Sequence, residues 1–189
     1  MIDKVARYLE RYGCDRRWNL VGTPPRGLET AIVIPALAES AYLFKTLLSI
    51  AGNDQASLSK TMAICVINNR EPGKSTEADR RDNAITLSAL GRIADGKVCT
   101  DDGEEVSAVA ASGLSLGYID AASPGRELPS GEGVGFARKI GMDRSLEAFD
   151  YRKGSPKILM CLDADTLVDG DWIQVTRRHF ESRGLTGAA

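Results

Sequence analysis

A single histidine, His179, serves a chain of 189 residues. Its neighbours Arg177 and Arg178 place it on a helix face, whereas a ligand or base would stand at a strand end or loop, so it is assigned no role. The four cysteines, Cys14, Cys65, Cys99 and Cys161, form no Cys-x-x-Cys pair, which argues against a zinc cage and a disulfide framework. Cys65 and Cys161 lie inside apolar runs and read as small core residues. No run approaches the ~20 apolar residues of a membrane-spanning helix. The N-terminus, MIDKVARYLERYG, spreads charges where a signal peptide would have an apolar block. Charge of one sign is lacking too: Lys+Arg 24 against Asp+Glu 26 leaves a formal −2 without blocks. That speaks against a nucleic-acid track or a polybasic membrane patch. The expected partner is a small molecule, and the expected compartment a reducing cytoplasm.

What is present is a core. With 43% hydrophobic residues, a chain of this length buries roughly 70% of its unfolded surface in one domain. Ile2, Val5, Leu9 and Tyr12 recur at helical spacing, so residues 1–29 read as a helix ending near Gly13 and a linker, and 30–189 as the core. TAIVIP (30–35) and TMAICVIN (61–68) are apolar throughout, as strands buried on both faces of a parallel sheet are. LSLGYIDA (114–121) and ILMCL (158–162) read as two more strands. Helical spacing fills the intervals. Tyr42, Leu43, Leu47 and Ile50 form one face before Gly52, Ala84, Leu87, Leu90 and Ile93 another, and 136–149 and 171–183 two further helices. Alternating strands and helices predict an α/β three-layer sandwich around a mostly parallel, Rossmann-like sheet, with ligands beyond the carboxyl ends of its strands. Those ends carry Glu39, Asn68 with Asn69, and Asp163 with Asp165.

The segments IVIPALAES, VINNRE, GVGFARKIGMDRSL and ILMCLDADTLVDGDWI, in that order, resemble the nucleotide-binding half of family-2 glycosyltransferases of the GT-A fold. The resemblance runs from about Thr30 to the C-terminus and implies a nucleoside-diphosphate sugar donor and an acceptor of unknown kind. Pro35 and Glu39 match the family's Pro-x-Tyr-Asn-Glu turn, while Leu37 and Ala38 replace its aromatic residue and asparagine. Asn68 or Asn69 stands where the family has an aspartate facing the nucleobase, and an amide both donates and accepts. Ala137-Arg138-Lys139-x-Gly141 is similar to the family's Ala-Arg-Asn-x-Gly, which implies Arg138, and with it Lys139, near the diphosphate.

Asp163-Ala164-Asp165 resembles the family's D-x-D signature. Strand alternation turns both carboxylates to one side. Oxygen ligands of this kind suit Mn²⁺ or Mg²⁺, which would join protein to diphosphate, with Asp163 also near the nucleotide. Asp169 or Asp171 is expected to cap the following helix.

Rival motifs fail on spacing. A haloacid-dehalogenase-type site needs Thr or Val two places after the second aspartate, where Leu167 stands. An EF-hand needs an oxygen ligand at Leu167 and glycine at Val168. GEGVGFA (131–137) lacks the glycine spacing of a dinucleotide loop, and its glycines are expected near the ligand instead. A sugar nucleotidyltransferase would carry a Gly-rich, basic loop where PALAES stands.

No catalytic base emerges, since Glu104, Glu105 and Asp120 all precede the D-x-D motif. Residues 184–189 read like the start of another strand, so the chain is expected to be C-terminally truncated relative to the family and to lack its acceptor-binding part. The competing expectation is a non-catalytic nucleotide-binding or scaffolding remnant.

Overall fold

The structure is a computed structural model that describes residues 2–71, 73–152 and 154–183. The strands are β1 (Leu20–Val21), β2 (Thr30–Ala36), β3 (Thr61–Asn68), β4 (Ser115–Ala121) and β5 (Ile158–Cys161). They form one sheet in the order β1-β4-β3-β2-β5. Among the described residues four strands run parallel and β1 alone is antiparallel, beside β4. The helices are α1 (Ile2–Tyr12), α2 (Ser40–Ala51), α3 (Gln55–Leu58), α4 (Glu77–Ala94), α5 (Glu104–Ala111), α6 (Val134–Ala148) and α7 (Trp172–Arg183).

The central strands alternate between two cores. Ile32, Ile34, Cys65 and Ile67 pack with Leu43, Leu47 and Ile50 of α2, Leu90 of α4 and Val106 of α5. Ala31, Val33, Ile64 and Val66 face the other way, onto Ala137 and Ile140 of α6 and Trp18. Every residue of β2 and β3 is buried, as a sheet covered on both faces requires. The α/β class and the mostly parallel sheet expected from the sequence are present. Among the described residues, no helix is long and apolar enough to cross a membrane.

Gly141 sets how closely α6 approaches the sheet. A Cβ there would overlap Val33 Cγ1 and meet Val66 Cγ2 at 3.0 Å, and a packed core does not absorb such overlap without shifting the helix.

Three elements escaped the sequence reading: β1, α3 and α5. The first two span 2 and 4 residues, too short for any period to register. Three helix faces need correction, the first at Tyr12 of α1, which is exposed. Tyr42 points outward at 54% exposure while Phe44 and Thr46 turn inward. On α4, Ala84 is exposed and Asn83 and Thr86 are buried. Apolar periodicity misplaced that face because two of its inward residues are polar and satisfied by hydrogen bonds. The further strand expected at 184–189, and Pro72 in the loop after β3, lie outside the described residues.

Candidate functional site

From β2 the chain winds outward through β3 to β4, then returns to the opposite side of β2 as β5. The order reverses at β2, and a crevice opens there at the carboxyl ends of the strands. It holds a cavity of about 660 Å³, within the roughly 300–1,000 Å³ usual for small-molecule sites. Pro35, Glu39, Asn68, Arg138, Asp163 and Asp165, all named from the sequence, line it. Asn69 and Lys139 do not.

The turn after β2 is held from α4. Ala38 takes φ 57°, a region that costs an L-residue with a plain Cβ. Its N–H donates to Asn83 Oδ1 at 2.9 Å. Ser40 donates its N–H and hydroxyl to Asp82 at 3.0 and 2.5 Å. Asp82 therefore caps α2 from a distant helix, and Glu39, at the N-cap position, makes no capping bond among the described residues. Its carboxylate is free to serve the cavity. The asparagine of the resembled family would enter the conformation of Ala38 more cheaply. Ala38→Gly is accordingly expected to raise stability by about 0.5–1 kcal/mol, relief of backbone strain outweighing chain entropy. Urea unfolding of the two proteins checks it.

The two asparagines at the end of β3 have separate positions. Asn68 lines the cavity. Asn69 is buried, donating from Nδ2 to Ala122 O at 2.7 Å and accepting from Asn83 Nδ2 at 2.8 Å. Asn83 Nδ2 also donates to Asn68 O at 3.0 Å. One polar chain thus ties the ends of β2, β3 and β4 together, and it consumes Asn69. The expectation that Asn69 meets the nucleotide is corrected on that ground.

Helix α6 divides its cations similarly. Arg138 reaches the cavity, where Nη2 donates to Asp163 Oδ1 at 2.5 Å. Its Nε is buried with no hydrogen-bond partner among the described residues. Lys139 turns the other way, donating to Tyr12 O and to Asp143 Oδ2, each at 2.6 Å. It fastens α6 to the chain end of α1, so its expected place beside the diphosphate is not met.

Beyond β5 the strand alternation persists for a few residues: Leu162 and Ala164 are buried, Asp163 and Asp165 exposed. Thr46 Oγ1 of α2 pins this segment by donating to Ala164 O at 2.7 Å. Asp171 precedes α7, yet the side chain that accepts the Ile173 N–H, at 2.9 Å, belongs to Asn53.

Charge is unevenly balanced in the cavity. Asp163 is neutralised by Arg138, whereas Asp165 has no ion pair among the described residues. Burial pushes the Glu39 carboxyl above its ordinary range, and the negative charges of Asp165 and Asp82 push it the same way. Neither Glu39 nor Asp165 has an ion pair among the described residues, and together they form a negative spot that fits a cation. Among the described residues, no group of three or more His, Cys, Asp or Glu side chains could hold a metal ion. Any ion here would need ligand oxygens from elsewhere.

Of the outer wall, sequence reasoning singled out the glycines of 131–137 alone. Arg70, Glu71 and Lys74 from the β3–α4 loop, and Leu128, Gly131 and Gly133 ahead of α6, close the cavity. Loop residues carry no period, and only the strand order shows that these two loops meet. Comparison of the chain with protein-family models, curated proteins and solved structures finds no match.

Proposed function

We propose that this chain is the nucleotide-sugar-binding domain of a family-2-type glycosyltransferase of the GT-A fold. The observation that carries the reading is the pairing, in one switch-point cavity, of a cation-seeking spot at Glu39 and Asp165 with a guanidinium at Arg138. A metal diphosphate asks for both. Asp163 and Asp165 would hold Mn²⁺ or Mg²⁺, which when bound supplies a Lewis acid to the departing nucleoside diphosphate. Hard ions of this kind use one or two protein carboxylates and complete their shells with water and phosphate oxygens, so the lack of a three-ligand cage among the described residues is compatible with the reading. Arg138, already oriented by Asp163, would meet the diphosphate, and Asn68 with Pro35 would flank the nucleoside.

Calorimetric titration with UDP and GDP, each with and without Mn²⁺, tests the reading. Metal-dependent binding of either nucleotide is expected. Binding of neither, or binding indifferent to the metal, would overturn it.

A further inference from the structure

Glu71 is held in an unusual way for a residue in a loop. Its side chain is only 10% exposed, although it lies on the cavity wall beside the exposed Arg70. Oε2 accepts from the Ser130 hydroxyl and, at 3.2 Å, from the Gly131 N–H. Oε1 takes the Lys74 ammonium. Three donors of different kinds, from two loops about 60 residues apart, converge on one carboxylate. An ammonium, a hydroxyl and a main-chain N–H at a glycine are also the donors that gather round phosphate oxygens. Gly131 takes φ 84°, so glycine suits this main-chain position.

We infer that Lys74, Ser130 and Gly131 form a cradle for a phosphate group of the cavity's ligand, and that the Glu71 carboxylate occupies it as an internal competitor. This rests on the reading above only in taking the ligand to be a nucleoside diphosphate. A tethered carboxylate carries one charge on two oxygens. A diphosphate carries more of both, so it displaces Glu71 and keeps all three donors. Lys74 first, and then Ser130, lower the pKa of Glu71, so its carboxylate form is the one these donors favour. Arg70 has no ion pair among the described residues and stands ready at the same wall to receive the displaced charge or the incoming one.

The test is metal-free calorimetry with inorganic pyrophosphate and with UDP on the parent chain, Glu71→Gln and Glu71→Gln/Lys74→Ala. Glutamine still accepts from Ser130 and Gly131, so the loops stay joined while the competing charge is gone. Glu71→Gln is expected to bind both ligands about tenfold more tightly, as removal of an opposing charge at an anion site warrants. Adding Lys74→Ala should cancel the gain. Equal or weaker pyrophosphate binding by Glu71→Gln would overturn the inference and leave Glu71 a mere staple. A gain for pyrophosphate without one for UDP would overturn the cradle's place in the nucleotide site. Should Glu71→Gln not fold, Lys74→Ala alone decides: a several-fold loss of pyrophosphate affinity upholds the cradle, and no change overturns it. Failure of the Mn²⁺-dependent titration in the parent would sink the glycosyltransferase reading separately, because the pyrophosphate arm uses no metal.

Discussion

Asp165→Ala is expected to weaken Mn²⁺-dependent nucleotide binding on the order of 100-fold or more, since groups that merely support a metal ligand already cost up to that factor when lost. The fold should survive. Asp165 is exposed and makes no hydrogen bond or ion pair with the described residues, and its negative charge repels that of Glu39. The pH dependence follows from the same pair. A carboxyl whose folded pKa is raised favours the folded state while protonated; that contribution is full below its unfolded pKa and fades as pH rises through the folded one. Cation binding has the opposite slope, growing as the Glu39 proton leaves. In Asp165→Ala one cause of the raised pKa disappears, so both transitions should move to lower pH. Titration of nucleotide with Mn²⁺ across the carboxylate range reads the binding transition in both proteins, and urea unfolding over the same range reads the stability transition. Equal affinity in the two would remove Asp165 from the proposed metal site.

Strand ends were legible because burial leaves a chemical trace. A run such as ILMCL, followed by aspartates, cannot continue inward, so Asp163 and Asp165 had to surface at the carboxyl edge. The same argument placed Glu39 and Asn68, and all four line the cavity. Helix faces were legible only where apolar residues made them. Asn69 and Lys139 carry the right chemistry one residue away from the cavity, and nothing short of strand register or helix phase separates them from Asn68 and Arg138. Caps show a similar divide. The Thr76 cap of α4, with Asp79 three residues on, is local and follows a readable pattern. Those of α2 and α7 come from Asp82 and Asn53, 42 and 120 residues away from their targets. Non-local caps leave no mark on the segment they stabilise, yet here they fix the helix after β2, the strand paired with β5, and the helix that follows the D-x-D segment.

Asn83 is where this hidden polar layer has its largest consequence. Asn83→Ala is expected to cost about 4 kcal/mol, because it strands three buried or part-buried groups, the Ala38 N–H, Asn68 O and Asn69 Oδ1, each worth roughly 1–3 kcal/mol when unsatisfied. For a chain of this size that lowers the melting temperature by roughly 8–16 °C. Asn83→Asp separates the contributions. It keeps an acceptor for Ala38 but faces Asn68 O and Asn69 Oδ1 with a carboxylate, so it should destabilise at least as much as alanine near neutral pH. Protonation at acid pH restores one donor, and the gap between the aspartate variant and the parent should narrow there. Binding would suffer beyond stability, because the same amide holds the strained turn that presents Glu39 and the strand end that presents Asn68. Thermal unfolding at two pH values, with nucleotide affinity measured well below the transition, distinguishes the two losses. A melting temperature within a degree or two of the parent's would show that water or neighbouring groups replace Asn83, and that the ends of β2, β3 and β4 are held by strand pairing alone.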